Sequence, residues 1–260
     1  MRVVAWRAMH ALHDRATLEA FFRRDPGLHL YELGDLDDFY WPRTQWFANE
    51  RAVALLYCPG DLPVLLALSH DAEALTGLAR ELLPVLPRAF YAHLSPGLAP
   101  AFAEHYDAEF HGDYLKMLMT DRAPVTGAEW EAEPLRSADE PEVTAFYRAA
   151  YPGNWFDPVM LSSGQYRGVR REGRLAAVAG VHVYSPAMRV AALGNIATHP
   201  AHRGQGLARQ VTGRCCAELL RTVDTIGLNV RADNAPARRC YASLGFAPVG
   251  DYQEFMFIAK

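Results

Sequence analysis

The sequence predicts an α/β protein of the α+β type, in two halves that each hold a mixed β-sheet flanked by helices. Residues 191–198 form an apolar run that ends in a glycine-bearing turn and leads into a helix-forming segment from Leu207. A second apolar run, 227–230, follows that helix and precedes another short helical stretch. Residues 1–122 also alternate helices and strands, an order typical of helices packed on a sheet.

The first half is predicted to begin with a helix over 14–26, because Leu18, Phe21 and Phe22 recur on one helical face. Its remaining elements are expected as strands at 52–57 and 63–68, a helix at 71–83, a strand at 89–94, a helix at 97–105 and a strand at 114–120.

An aromatic stretch in this half has two interpretations. Tyr40 and Trp41 stand close to Asp35, Asp37 and Asp38. Aromatic side chains mostly fill a core. Here they are also placed to wall a substrate pocket, and the acidic side chains would suit a cationic amine. Both interpretations stay open at this point.

The stretch 123–134 is polar, lacks periodicity and contains Pro124 and Gly127, so it is the predicted linker. This divides the chain into domains at 1–122 and 135–260. The second domain is predicted to contain a helix at 140–151 and strands at 165–170 and 175–184.

Composition restricts the function. The 260 residues carry a net charge of −4 and 22% charged side chains, which argues against a nonspecific nucleic-acid or anionic-membrane binder. The start of the chain is too polar for a signal peptide, and no apolar run reaches the roughly 18 residues of a membrane helix. We therefore expect a cytoplasmic protein. The 4 cysteines have no CxxC spacing, so no metal site is expected.

The turn after residues 191–198 has the features of an anion site. Gly204 and Gly206 allow positive φ and close backbone approach, and Arg203 adds positive charge. The first N–H groups of the following helix have no intrahelical partner and attract an anion such as a pyrophosphate. A Walker A motif is excluded because no Gly-Lys-Ser/Thr follows. A dinucleotide fingerprint is excluded because Arg209 occupies the third glycine position. An ordinary strand-to-helix turn is the alternative.

The order of motifs around this turn and after it is similar to that of a known family. The motif order resembles that of the GNAT superfamily of acyl-CoA-dependent N-acyltransferases. It consists of a strand, the turn Arg-Gly-Gln-Gly (203–206), a helix, a second strand, Asn234, Tyr241 and Gly-Phe (245–246). The resemblance covers roughly 135–260 and is strongest over 191–246. It implies acetyl-CoA as the acyl donor. The first half shows a similar element order without the glycine turn, a layout similar to that of acyl-CoA:glycine N-acyltransferases and their bacterial relatives.

The resemblance also implies which residues bind the coenzyme. The strand before the turn would bulge at Gly194-Asn195 and expose backbone groups to the pantetheine arm. Ala201 stands where the family often has Gln or Arg, a departure that backbone binding tolerates. The implied coenzyme-binding residues are Ile196, Ala197, Thr198, Arg203, Gly204, Gln205, Gly206, Leu207, Ala208, Asn229 and Asn234.

Transfer of an acyl group to an amine requires a neutral amine, a donor to the oxyanion and a proton for the leaving thiolate. Tyr241 matches the family's general acid, and its alternative role is to pack the last helix on the sheet. His182 is the candidate base, although a histidine in an apolar strand is commonly a core residue. Asn154, Trp155 and Asp157 lie where the family covers the acceptor, and the sequence does not choose among these candidates.

The resulting prediction is an N-acetyltransferase that acts on a small-molecule amine and is active in its second half. The first half is expected to shape the acceptor site. One alternative is a noncatalytic acyl-CoA-binding or regulatory module. Another is an N-acyltransferase that uses a longer acyl-CoA.

Overall fold

The computed structural model describes residues 8–260, which form two compact units. Unit 1 contains the described residues up to Lys116, together with Arg231–Asp233 and Val249–Lys260. Unit 2 contains Met117–Val230 and Asn234–Pro248. Residues 1–7, part of the polar start that argued against a signal peptide, lie outside the described residues.

The elements up to Met119 belong mainly to unit 1. In chain order they are β1 (His10–Ala11), α1 (Arg15–Phe22), α2 (Leu30–Gly34), β2 (Thr44–Ala48), β3 (Val53–Tyr57), β4 (Val64–Ala67), α3 (Ala72–Leu82), β5 (Ala89–Leu94) and β6 (Tyr106–Met119).

The remaining elements belong mainly to unit 2, except that most of the last strand is in unit 1. They are α4 (Ala123–Thr126), β7 (Glu133–Leu135), α5 (Glu140–Ala150), β8 (Tyr166–Arg171), β9 (Arg174–Ser185), β10 (Val190–Thr198), α6 (Leu207–Leu219), β11 (Thr225–Arg231), α7 (Ala235–Ala242) and β12 (Phe246–Ala259).

Six strands of unit 1 are neighbours in a sheet, in the order β1-β2-β3-β4-β5-β12. Strands β4 and β5 pair in parallel, from Val64 with Tyr91 to Ala67 with Leu94, and the other pairings in this order are antiparallel. A parallel pair needs a crossover connection, which α3 provides. Helix α3 buries Leu75, Leu78 and Leu82 on the face that packs in the core.

The sheet of unit 2 has the strand order β7-β8-β9-β10-β11. Its parallel pair is β10 with β11, and α6 is the crossover helix. The other pairings are antiparallel. Helix α6 buries Val211, Cys215 and Leu219. The predicted mixed α/β fold is therefore confirmed.

Most predicted elements are confirmed with small changes in their bounds. Two differ more. The segment 97–105 forms a 3₁₀ turn at Ala99–Phe102 instead of an α-helix, because Gly97 has φ +83° and Pro100 lacks a backbone N–H. The strand predicted at 114–120 begins at Tyr106, since pairing partners and not the polar composition of its first residues determine its length.

The stretch 123–134 contains α4 and the start of β7. Within it Trp130 is 9% exposed, and its indole N–H donates to the carbonyl of Val125 at 3.0 Å. Its ring lies against Gly213 of α6, where an added Cβ would come within 2.5 Å of ring carbons. The division into domains at 1–122 and 135–260 stays a prediction.

Among residues 8–260, no helix has both the length and the apolar character needed to cross a membrane. The cytoplasmic location expected from the sequence stays a prediction.

Candidate functional site

The turn between β10 and α6 has the backbone conformation that its two glycines predicted. Gly204 has φ +77° and Gly206 has φ +74°, both in the left-handed region. Nothing lies within 4 Å of the position that a Cβ would occupy at either residue. The glycines therefore serve backbone conformation and leave open space above the turn, which is what close approach of a ligand requires.

The first turn of α6 presents unpartnered backbone donors. Gly206 is the N-cap residue, no side chain accepts a hydrogen bond there, and no acidic residue lies in the first turn. Leu207 is buried and anchors the helix start, whereas Gly204, Gln205 and Gly206 are exposed. The partial positive charge of a helix N-terminus thus faces solvent without a competing carboxylate.

Arg203 connects this turn to the end of β10. Its guanidinium Nε–H donates to the carbonyl of Thr198 at 3.4 Å, and the side chain is exposed. Its charge therefore adds to the positive end of α6.

Strand β10 contains the bulge that was predicted at Gly194-Asn195. Gly194 pairs with Gly180 of β9, and Ala197 pairs with Val178, so three residue steps on β10 face two on β9. Asn195 has φ +53°, which is uncommon for a residue with a side chain. A bulge of this kind turns backbone groups away from the ladder. The predicted irregularity is confirmed.

The bulge begins where the parallel pairing of unit 2 ends. That pairing runs from Val190 with Thr225 to Leu193 with Leu228. Asn229 follows directly on β11 and is half-buried. Of the residues after the bulge, Ile196 and Thr198 are half-buried and Ala197 is 9% exposed. The carboxyl ends of parallel strands are where α/β sheets bind ligands.

Tyr241 lies on α7 and is 8% exposed, with its ring 6.2 Å from that of Phe246. Burial raises the pKa of its phenol well above the ordinary value, and the nearby Cys240 adds to this effect. The hydroxyl is therefore protonated at neutral pH, as a proton donor requires, although the raised pKa also makes it a weaker acid.

Asn234 is the N-cap residue of α7. Its side-chain oxygen accepts a hydrogen bond from the backbone N–H of Ala237 at 3.2 Å. Asn234 thus caps the helix, and its predicted role in binding coenzyme stays a prediction.

His182 of β9 is half-buried and lies against the bulge. A Cβ added at Gly194 would come within 2.2 Å of the imidazole Cδ2. Only a glycine at position 194 therefore leaves room for this ring. The structure brings the candidate base next to the bulged strand.

The segment between α5 and β8 contains the other candidates for acceptor contact. Asn154 accepts a hydrogen bond from the N–H of Phe156 at 2.7 Å and donates to the carbonyl of Tyr151 at 2.6 Å. Asp157 accepts from the N–H of Val159 at 2.8 Å. Both polar side chains thus hold the loop itself, whereas the Trp155 side chain is 49% exposed.

Sequence reasoning missed two tyrosines beside the bulge. Tyr147 lies in the helix predicted at 140–151 and Tyr166 in the strand predicted at 165–170, and neither residue was singled out. Tyr147 donates its hydroxyl to the carbonyl of Asn195 at 2.6 Å, and the Asn195 amide donates to the hydroxyl of Tyr166 at 3.0 Å. A hydroxyl-bearing ring on an otherwise apolar helix face was the available signal.

Part of the acidic aromatic stretch of unit 1, residues 35–41, makes internal contacts. Trp41 stacks on the fully buried Trp46 with ring centroids 6.2 Å apart. Asp38 pairs with Arg15 at 2.5 Å. Asp35 is 4% exposed, and burial raises its pKa well above the usual range, with the charge of Glu32 adding to the effect. The buried Asp35 and the stacked Trp41 favour the core interpretation for these two residues, whereas the Asp38 side chain is 90% exposed.

Among residues 8–260, no three His, Cys, Asp or Glu side chains are grouped closely enough to hold a metal ion.

A strand that bulges beside its parallel partner is followed here by a glycine turn and an uncapped helix, and helix N-termini of this kind attract anions. Residues 126–246 match the sequence model of the acetyltransferase (GNAT) family. These residues therefore form a GNAT-family domain, and the resemblance seen in the sequence is confirmed.

The chain is also similar to curated relatives. It is 30% identical over 183 residues to a mycothiol acetyltransferase of Beutenbergia cavernae, an alignment that covers 63% of this chain and 57% of the relative. It is 35% identical over 98 residues to a mycothiol acetyltransferase of Tsukamurella paurometabola, covering 36% of this chain and 34% of the relative. The chain thus spans about half the length or less of these relatives.

Solved structures agree in fold. A Drosophila protein superposes with a TM-score of 0.71 at 14% identity, covering 96% of this chain and 98% of that one. A tandem GNAT protein from the clavulanic acid biosynthesis pathway superposes with a TM-score of 0.54 at 14% identity, covering 97% of this chain and 98% of that one. At these identities the likeness concerns the fold alone.

Proposed function

We propose that this protein is an N-acetyltransferase that transfers the acetyl group of acetyl-CoA directly to an amine of a small molecule. The observation that carries the proposal is the continuous path from the bulge of β10 to the uncapped start of α6. The bulge supplies backbone groups for an extended arm, and the glycine turn supplies donors for a pyrophosphate.

Different residues along this path would bind different parts of acetyl-CoA. The backbone of the segment after the bulge would hold the pantetheine arm, and that of the turn the pyrophosphate. Asn229 and Asn234 would contact the arm near the end of β11 and the start of α7. The fit rests on the open space at both glycines of the turn. The residues concerned are Ile196, Ala197, Thr198, Arg203, Gly204, Gln205, Gly206, Leu207 and Ala208.

For the chemistry, we assign Tyr241 as the proton donor to the departing thiolate. Its buried phenol has a raised pKa and so carries its proton at neutral pH. His182 beside the bulge is the candidate base that removes a proton from the attacking amine. A neutral imidazole nitrogen can accept a proton from an amine.

A small-molecule acceptor agrees with the names of the two curated relatives, which are mycothiol acetyltransferases. The exposed rings of Tyr151 and Trp155, which are 48% and 49% exposed, provide apolar surface for such a molecule in unit 2. We further propose a tandem layout in which the first half, without a glycine turn, shapes acceptor recognition.

Two other functions use the same path. A noncatalytic acyl-CoA-binding or regulatory module would bind the coenzyme without turnover. An N-acyltransferase for a longer acyl group would bind and use a longer acyl-CoA.

The test combines binding and turnover. Titration calorimetry with acetyl-CoA and with longer acyl-CoAs measures the dissociation constants, and a thiol reagent measures release of coenzyme A in the presence of a panel of small amines. The variant Gly204→Glu places a carboxylate and an unfavourable positive φ in the turn. Its matched control is Gly97→Glu, since Gly97 has φ +83°, open space at its Cβ position and an exposed location in unit 1.

We expect wild type and Gly97→Glu to bind acetyl-CoA and Gly204→Glu to lose binding. Release of thiol that depends on an amine supports transfer. Binding without thiol release for any amine favours the noncatalytic module, and preferred turnover of a longer acyl-CoA favours the second alternative. Absence of binding to every acyl-CoA by wild type would refute the proposal.

A further inference from the structure

The bulge of β10 is held by a small polar cluster formed by Tyr147, Tyr166 and Asn195. Their side chains are 2%, 0% and 5% exposed, respectively. All three belong to unit 2 but come from α5, β8 and β10. Asn195 has φ +53°, a backbone conformation that is energetically costly for any residue other than glycine. Surrounding contacts must therefore maintain it.

Tyr147 anchors the backbone of the bulge. Its hydroxyl donates to the carbonyl oxygen of Asn195 at 2.6 Å. That carbonyl has left the ladder between β9 and β10, because the register shifts between Gly194 and Ala197. Burial raises the pKa of the Tyr147 hydroxyl well above its ordinary value, so this donor keeps its proton.

Tyr166 anchors the side chain of the same residue. Its hydroxyl accepts from the Asn195 amide at 3.0 Å and lies 3.3 Å from the carbonyl of Val181, to which it can donate. Its ring lies so close to Gly180 that an added Cβ there would come within 2.2 Å of a ring carbon. Gly180 is the partner of Gly194 on the neighbouring strand.

Phe156 connects the two anchors. Its ring centroid lies 4.8 Å from that of Tyr147 and 5.7 Å from that of Tyr166. The rings fix each other's positions, so the two hydroxyls meet Asn195 from defined directions.

We propose that Tyr147 and Tyr166 are positioning residues for the acyl-CoA arm. They hold Asn195 in its left-handed conformation and thereby aim the backbone of Ile196–Thr198 at the pantetheine chain. This inference rests on the proposed function. It adds that two side chains outside the glycine turn determine the affinity for the pantetheine arm. They leave the affinity for the nucleotide part of the coenzyme unchanged.

The experiment uses the full chain and two probes. One probe is coenzyme A. The other is 3′-phosphoadenosine 5′-diphosphate, the nucleotide fragment that remains when the pantetheine arm is removed from coenzyme A. Calorimetry measures both dissociation constants for wild type, Tyr147→Phe and Tyr106→Phe. The last is a matched control, because Tyr106 is also buried and its hydroxyl lies 3.2 and 3.3 Å from two backbone carbonyls in unit 1.

We expect Tyr147→Phe to bind coenzyme A about tenfold more weakly, since a buried carbonyl loses its donor and the bulge loses its anchor. The nucleotide fragment should bind within about twofold of wild type, because the glycine turn is unchanged. Tyr106→Phe should leave both constants unchanged. A merely structural role of Tyr147 would not separate the two probes.

Wild-type affinity of Tyr147→Phe for coenzyme A would overturn the inference and leave the proposed function intact. An equal loss for both probes would also overturn it. Failure of wild type to bind coenzyme A would refute the proposed function and this inference together.

If Tyr147→Phe does not fold, as judged by urea unfolding, Tyr166→Phe and Asn195→Gly replace it. Asn195→Gly keeps the carbonyl and accepts positive φ but loses the bond to Tyr166. Each should weaken coenzyme A binding about threefold without affecting the fragment, and unchanged coenzyme A binding in both would refute the inference.

Discussion

In unit 1, β4 leads through α3 to its parallel partner β5, and in unit 2, β10 leads through α6 to its parallel partner β11. The two strand–helix–strand segments share their connectivity and differ at the ends of the strands. Strand β4 stays paired to its last residue, Ala67, and the N–H of Ser95 also donates to the Ala67 carbonyl at 3.0 Å. Strand β10 instead bulges after Leu193.

The N-termini of the two crossover helices, α3 and α6, also differ, because only α3 has a capping side chain. Asp71 caps α3 by accepting from the N–H of Ala74 at 3.0 Å, and Glu73 lies in the first turn. Arg51 pairs with both carboxylates, at 3.2 Å for Asp71 and 3.1 Å for Glu73. In α6 the cap is Gly206, without a side-chain acceptor or an acidic first turn.

The comparison shows that the same connectivity leads to two different helix starts. In unit 1 a carboxylate already satisfies the helix N-terminus and would repel a phosphate, whereas in unit 2 the donors stay available. Predictions that exchange features between the two segments test this difference.

The largest effect is expected from Tyr241→Phe. After β5, the turn Ala99–Phe102 of unit 1 carries the fully buried Phe102, and this variant gives α7 of unit 2 a buried ring that likewise has no hydroxyl. Loss of a general acid should lower kcat by about 100-fold or more, with binding of acetyl-CoA unchanged. Steady-state kinetics and calorimetry measure the two quantities, and Tyr106→Phe is the control for loss of a buried hydroxyl.

The pH profile sharpens this prediction. Because burial raises the pKa of the Tyr241 phenol, the protonated form that donates persists to higher pH than in a free tyrosine. Activity that depends on this group should therefore be lost only above about pH 10. A kcat for Tyr241→Phe equal to that of wild type would exclude the acid role.

The second effect is expected from Gly206→Asp, which gives α6 the cap of α3. The carboxylate would accept the free N–H groups and repel the pyrophosphate, so the dissociation constant for coenzyme A should rise by about 30- to 100-fold. Gly97→Asp is the control, since it imposes a similar positive φ on an exposed glycine of unit 1. Affinity retained by Gly206→Asp would show that the helix start does not bind the anion.

The smallest effect is expected from Asp71→Ala, which removes the cap of α3. The free energy of unfolding should fall by about 0.5–2 kcal/mol, since the first N–H groups of α3 lose their acceptor. Urea unfolding measures this change. The variant should not gain a second site for coenzyme A, because β4 and β5 remain paired to their ends; a second site in calorimetry would contradict that reasoning.

The glycine turn and the start of α6 could be predicted because they depend on local chemistry. Gly204 and Gly206 tolerate positive φ, no capping side chain precedes Leu207, and these properties belong to neighbouring residues. The helices and strands with clear apolar periodicity were predictable for the same reason.

The tertiary structure decided what depends on distant residues. Nothing near Asn195 in the sequence indicates that Tyr147, 48 residues earlier, donates to its carbonyl. The acidic neighbours of Asp35 suggest an exposed residue, yet Asp35 is buried by packing within unit 1.

The sequence by itself thus determined the type of fold, the glycine turn before α6 and the position of the bulge. Tertiary structure decided how the bulge is held, and it placed Val249–Lys260, the last segment of the chain, in unit 1 through the pairing of β12 with β5. The physical reason is that φ preferences and helix capping act between residues close in the chain, whereas strand pairing and burial depend on partners that only folding brings together.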